Sequence, residues 1–185
     1  MKRVTLVLLA LALAAALTAG ACAEELTQAF TTSYYTLSVP GDWIVDTGSL
    51  WSDEDYEELG VLEAPTDVGL VIECAAFGDL DEDYEALWDG VSEDSLDACV
   101  VALMEDYEDD DPKYLGTLWT NGVPIVVLSA EDDEGPYFCA DTVVDGRELS
   151  FLAYVGNADS DRTLEPSEED VALLKRIIGS IRLAG

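Results

Sequence analysis

Apolar and polar residues alternate with a period of two over Tyr34-Tyr35-Thr36-Leu37-Ser38-Val39 and stop at Pro40-Gly41. That is the pattern of a half-buried strand closed by a turn. Trp43-Ile44-Val45 continues the apolar edge beyond it. Two further runs, Leu59 to Glu63 and Val68 to Phe77, flank Pro65-Thr66-Asp67 and predict a hairpin whose second strand is apolar enough to be central in its sheet. Between residues 80 and 108 the period lengthens: Leu96, Cys99, Val100, Leu103, Met104 and Tyr107 fall at i, i+3, i+4, i+7, i+8 and i+11. This spacing predicts a helix with one buried face. Ser92 or Asp94 is placed to cap it, and Glu93, Asp94 and Asp97 suit its positive end. Its other end carries the acidic run from Glu105 to Asp111, where the helix dipole is negative, so fraying is expected before Pro112.

The second half reads as a meander. Runs at Tyr114 to Trp119, Ile125 to Ala130, Tyr137 to Val144 and Leu149 to Val155 are separated by Asn121-Gly122, the acidic turn Glu131 to Gly135, and Asp145-Gly146. Asn-Gly and Asp-Gly supply the positive φ that two-residue hairpin turns require. Ser167-Glu168-Glu169-Asp170 then opens a capped helix with Val171, Leu174, Ile177 and Ile178 as its stripe and Gly179 as its stop, and Ser180 to Leu183 is free to lie against the sheet. Strands gathered into a meander, with helices between and after them, indicate an α+β fold: a mostly antiparallel sheet covered by helices. Residues 33–185 form one such domain, and residues 24–32 are expected to be a loose leader.

Four stretches give this order of elements a family likeness. They are Tyr35 to Trp43 (YTLSVPGDW), Asn121-Gly122-Val123-Pro124 before an apolar strand, the Tyr137 to Val155 hairpin, and the closing helix ending Ile178-Gly179-Ser180-Ile181-Arg182. Together they resemble the PsbP-like family of extracytoplasmic domains, and the resemblance implies an α/β/α sandwich. That fold hosts accessory and binding proteins and implies no shared catalytic set.

The N-terminus adds a compartment. Lys2 and Arg3 precede an uncharged run from Val4 to Ala21, and Ala21-Cys22-Ala23 stands before Glu24-Glu25. This order of charged, apolar and small residues is that of a secretory signal peptide over residues 1–23, cleaved after Ala23. An uncleaved anchor and a lipid on Cys22 are the alternatives; the residue three before that cysteine is Ala19, where lipoprotein signals favour an aliphatic side chain. No second apolar run is long enough to span a bilayer, so the processed chain is expected outside the cytoplasmic membrane.

Charge then removes whole classes of function. The 185 residues carry 40 Asp and Glu against 8 Lys and Arg, a formal net charge of -32, and such a surface repels phosphate backbones and anionic lipid. Nucleic-acid binding is excluded on that ground. There is no histidine, which removes Ser-His-Asp and Cys-His catalysis and every imidazole base. Ser-Lys chemistry would have to recruit Lys113 or Lys175, and the latter reads more simply as part of a solvated helix face. Among 40 acidic residues some pair always falls at a glycosidase-like spacing, so that spacing alone says nothing.

The most specific chemical pattern is Asn157-x-Asp159-x-Asp161-x-Thr163-x-Glu165-x-x-Glu168, which sets oxygen ligands at the spacing of a calcium loop with Leu164 at its apolar position. Against it, Arg162 stands where the sharp turn wants glycine, and a strand precedes the loop where a helix is usual. Asn157, Asp159, Asp161, Glu165 and Glu168 are therefore candidate calcium ligands, with an acidic loop followed by an ordinary helix cap as the plainer alternative. Asp79-x-Asp81-x-Asp83 is a weaker copy. Cys74, Cys99 and Cys139 each lie in apolar runs and read as small buried hydrophobes; a Cys74 to Cys139 bridge is the alternative. Trp43, Trp51, Trp88 and Trp119 stand at apolar positions and read as core before they read as a sugar-stacking platform.

These residues predict an exported, acidic, non-enzymatic accessory or binding module at the cell surface. No cofactor is implied beyond calcium at the loop just described. The partner suggested by charge is a basic protein or a cell-wall component. A calcium-dependent structural module and a carboxylate-pair hydrolase are the competing readings.

Overall fold

The structure is a computed structural model that describes residues 24–48, 51–53, 55–78, 80–156 and 163–184. The putting together of the chain is as follows: β1 (Leu26–Thr31), β2 (Tyr35–Pro40), β3 (Ile44–Asp46), β4 (Tyr56–Glu63), β5 (Gly69–Phe77), α1 (Glu82–Trp88), α2 (Leu96–Asp106), β6 (Lys113–Thr120), β7 (Val123–Glu131), β8 (Pro136–Val144), β9 (Arg147–Gly156), α3 (Glu168–Ile178) and β10 (Arg182–Leu183). Seven strands form the main antiparallel sheet in the order β3-β4-β5-β9-β8-β7-β6, and β1-β2-β10 form a second sheet. The α+β class read from the sequence is the class observed.

The hairpins follow their turn chemistry. Asn121 and Gly122 take φ of 51° and 86°, Asp145 and Gly146 take 52° and 73°, and these left-handed pairs close β6 onto β7 and β8 onto β9. The β4–β5 hairpin forms as its sequence predicts, with a bulge between Glu58 and Gly60. Because β5, β9, β8 and β7 are interior strands, they bury side chains on both faces, and the main sheet divides two separate cores.

The larger core lies between the main sheet and the layer made by β1-β2-β10 and α3. Tyr35, Leu37, Leu62, Ile72, Phe151, Leu174 and Ile177 are fully enclosed there, and Tyr35 meets Phe151 edge-on at 5.1 Å between ring centroids. Burying each such side chain contributes roughly 2 kcal/mol. The closing helix α3 has the expected capping box, Ser167 and Asp170 satisfying each other's backbone amides, and it ends at Gly179. Ser180 then accepts from the Ser38 amide at 2.8 Å and Arg182–Leu183 pairs with Thr36 and Tyr35, so the C-terminal residues do lie on a sheet.

The smaller core lies under α1 and α2. Cys99 and Leu103 of α2 and Trp88 of α1 pack on Val126, Leu128, Cys139 and Val143, with Leu96, Val100, Met104 and Tyr107 alongside, as the helical spacing predicts. Gly90, at φ 63°, separates the two helices. The N-cap position of α2 is Ser95, not Ser92 or Asp94: the Ser95 hydroxyl accepts from the Ser92 amide at 2.9 Å and makes no capping bond of its own.

Two further expectations change and one alternative is excluded. Residues 24–32 are not a loose leader, because Leu26–Thr31 pairs with β2 from Leu26↔Pro40 to Thr31↔Thr36 and buries Phe30 against Tyr35. Cys74 and Cys139 cannot bridge, since Cys74 belongs to the larger core and Cys139 to the smaller, on opposite faces of the main sheet; all three described cysteines are buried free thiols. Of the four tryptophans, Trp43 and Trp88 are core, whereas Trp51 is 57% exposed and Trp119 38%. Residues 1–23, read from the sequence as a signal peptide and including Cys22, lie outside the described residues. Among the described residues no helix is long and apolar enough to cross a membrane.

Candidate functional site

The candidate calcium ligands divide between what the structure describes and what it does not. Asn157, Asp159 and Asp161 lie outside the described residues. Glu165 and Glu168 are exposed, Glu165 beside the acidic rim near Lys113 and Val171, and Glu168 as the first residue of α3 after its cap Ser167. Among the described residues no group of three or more His, Cys, Asp or Glu is arranged to hold a metal ion. The Asp81 carboxylate of the weaker copy accepts from the Asp83 amide at 2.9 Å, which makes it the cap of α1.

What the fold does gather is a set of tyrosines and carboxylates on the helix-covered face of the main sheet. In β8, Tyr137, Cys139, Asp141 and Val143 alternate toward α1 and α2; in β9, Glu148, Ser150, Leu152 and Tyr154 do the same. Register sets Asp141 directly opposite Ser150 and Cys139 opposite Leu152. Tyr107, just past the end of α2, reaches down so that its hydroxyl donates to Asp141 Oδ2 at 3.4 Å, and Tyr84 of α1 donates to Glu148 Oε1 at 3.4 Å.

Asp141 is 0% exposed, and its Oδ1 makes no hydrogen bond. Burial pushes its carboxyl up to about 8, the nearby Glu148 and Asp106 charges adding to the rise while the Ser150 and Tyr107 hydroxyls oppose it. Glu148 is raised in the same way to about 7, by burial first and then by the Asp106 charge, with Tyr84 opposing. Asp106 itself is raised, again mainly by burial. No Lys or Arg contributes to these shifts, so the helix layer sits over carboxyl groups that burial makes harder to ionise.

Beside this buried network opens a cleft of about 380 Å³, lined by Glu73, Tyr107, Asp132, Glu134, Tyr137, Leu152, Tyr154 and Thr163. Tyr107 and Tyr137 form one corner, their rings 6.3 Å apart and inclined by 56°. Thr163 arrives from beyond β9 because the turn between β7 and β8 lets it in: Gly135 has φ 126°, and a Cβ there would stand 2.6 Å from Thr163 Oγ1. The Thr163 amide donates to Glu134 O at 3.0 Å and its hydroxyl to Pro136 O at 2.8 Å. The same turn is held by Asp132, whose carboxylate accepts from the amides of Glu134 and Gly135.

Next to the cleft is a wider concavity of about 700 Å³ lined by Asp109, Asp110, Asp111, Glu131, Asp132, Asp133 and Glu134. It forms where the 3-10 turn Glu108–Asp110 faces the β7–β8 turn. The two spaces share Asp132 and Glu134, and Tyr137 of the cleft donates to Asp110 Oδ2 of the basin at 2.7 Å. Every side chain lining the basin is acidic. Lys113 stands nearby, paired with Asp111 at 3.0 Å in the open.

These residues escape a reading of the sequence because they come from different elements. Tyr107 counts there only as the last member of a helix stripe, and Tyr137 and Tyr154 as strand residues. One signal does exist: Asp141 is a lone acid inside the apolar run Tyr137 to Val144, at a position that alternation turns inward with Cys139 and Val143.

No protein-family model matches the chain, and no curated protein matches it. Among solved structures, the fold is similar to the solution structure of cyanobacterial PsbP from Synechocystis sp. PCC 6803, with a TM-score of 0.47 and 14% identity over 89% of this chain and 96% of that one. A second similarity, with a TM-score of 0.34 and 10% identity over 94% of this chain and 84% of that one, is to the immunity protein TplEi of the T6SS from Pseudomonas aeruginosa, complexed with "L" peptide. Likenesses this remote assign no role to any residue.

Proposed function

We propose that this protein is an extracytoplasmic, non-enzymatic binding module that engages a basic protein segment through the acidic end of its helix-covered face. The observation that carries the reading is the basin itself: seven carboxylates on two facing turns surround a concave space, and among the described residues no cationic side chain lines it. A surface of this kind raises the local concentration of a cationic partner and speeds its encounter. The extracytoplasmic placement is supported by the charged, apolar and small-residue order of the N-terminus.

A hydrolase would need two carboxyl groups open to a substrate. Asp141, the carboxyl group held most firmly in its neutral form, is wholly enclosed, which favours binding over catalysis. A decalysine peptide titrated into the purified protein tests the reading. Binding that weakens steadily with added sodium chloride, and weakens about tenfold or more when Asp109, Asp110 and Asp111 are changed together to Asn, is expected. Failure of decalysine to bind at low salt, or binding only to an amine-bearing cell-wall polymer, would overturn it.

A further inference from the structure

The tyrosine-lined cleft differs from the basin in one respect that selects its ligand. Four hydroxyl groups line it, and each already donates its proton elsewhere: Tyr107 to Asp141 Oδ2, Tyr137 to Asp110 Oδ2, Tyr154 to Glu73 Oε1 at 2.9 Å, and Thr163 to Pro136 O. A hydroxyl whose hydrogen is committed can still accept through its oxygen. The other polar side chains of the lining are the carboxylates of Glu73, Asp132 and Glu134, which only accept when ionised. Among the described residues, the side chains of the cleft therefore offer acceptors, aromatic surface and the apolar flank of Leu152, and no free donor.

Resting on the reading of a basic partner, we propose that this cleft is the anchor site for a single protonated amine or guanidinium group, the head of a lysine or arginine side chain, held between the rings of Tyr107, Tyr137 and Tyr154 and the carboxylates of Glu73 and Glu134. The head group brings several N–H donors to a wall of acceptors, and its charge is attracted by the ring faces. Its methylene stem suits Leu152 and the tyrosine rings. An anionic or neutral acceptor-only ligand would find no donor among these side chains. The volume of about 380 Å³ is at the small end of ligand pockets, which fits one side chain and not a folded surface. A bare metal ion is a poorer occupant, because among the described residues no three carboxylates converge to hold one.

The test compares two peptides, acetyl-Gly-Gly-Lys-Gly-Gly-amide and the same peptide acetylated on the lysine nitrogen, followed by the ring resonances of Tyr107, Tyr137 and Tyr154. The amine peptide is expected to shift all three rings and the acetylated one none of them. Tyr154→Leu should weaken the amine peptide about tenfold, and Tyr154→Phe, which keeps the ring, by much less. Glu73→Gln gives a variant that leaves the fold alone, since Glu73 is exposed, and should weaken binding severalfold. Equal shifts with both peptides, no ring shifts with either, or calcium displacing the amine peptide from the same rings would each overturn the anchor site. Decalysine separates this outcome from failure of the basin: binding that survives Tyr154→Leu unchanged removes the anchor and leaves the basin reading standing, whereas ring shifts with the pentapeptide and no decalysine binding would do the reverse.

Discussion

The two faces of the main sheet bury comparable kinds of strand residue and treat polarity in opposite ways. Beneath β1-β2-β10 and α3 the core is made of aliphatic and aromatic groups, and among its described buried residues the titratable groups are the Tyr35 hydroxyl and the Cys74 thiol. Burial raises both groups, Cys74 to about 12, so neither ionises near neutrality. Beneath α1 and α2 the same strands present Asp141 and Glu148, and the helices answer with Tyr107 and Tyr84. One face is organised for packing alone. The other accepts an electrostatic penalty, and the cleft and the basin both lie on or beside it.

The sharpest way to break this comparison is to damage the apolar face. Phe151→Ala removes the ring that meets Tyr35 and should cost about 3 to 5 kcal/mol in urea unfolding. A loss below about 1 kcal/mol would mean that the larger core is not the principal source of stability.

Removing the penalty on the other face should have the opposite sign. Below about pH 4 Asp141 is protonated in both folded and unfolded chains and contributes no pH dependence; as pH rises toward 8 the unfolded chain releases the proton while the folded chain keeps it, and stability falls. Asp141→Asn should therefore stabilise the protein by about 3 kcal/mol at pH 8 and flatten the decline between pH 4 and 8. Glu148 acts in the same direction, and Glu148→Gln should give a smaller gain because that residue is only half-buried. An Asn variant with an unchanged pH slope would show that general self-repulsion of the acidic chain, and not this carboxyl group, sets the decline.

The smallest effect expected is that of cation identity. At matched ionic strength, calcium, magnesium and sodium should raise the melting midpoint by similar amounts, since screening depends on ionic strength. A rise specific to calcium would redirect attention to the loop ending at Glu165 and Glu168.

Much of the scaffold was legible in the sequence, for reasons that are local. Asn121-Gly122 and Asp145-Gly146 specify their turns whatever surrounds them, and the Leu96 to Tyr107 spacing specifies a helix face. β1 was not legible: in Leu26–Thr31 only Phe30 is fully buried, and pairing with β2 supplies the order that composition does not. The cleft was hidden for a related reason. Tyr107, Tyr137 and Tyr154 are ordinary members of three separate periodic patterns, and only the register of β8 with β9 and the reach of the chain past α2 bring them together.

The three described cysteines turn this layered construction into something that can be timed. Cys74 is sealed inside one core, Cys139 inside the other, and Cys99 donates to Leu87 O at 3.1 Å where α1 meets α2. A thiol reagent added to the native protein can reach each only after its own layer opens. The order in which the three sulfurs become labelled is thus a native clock: Cys99 and Cys139 ahead of Cys74 would mean that the helices lift from the sheet while the opposite core stays shut.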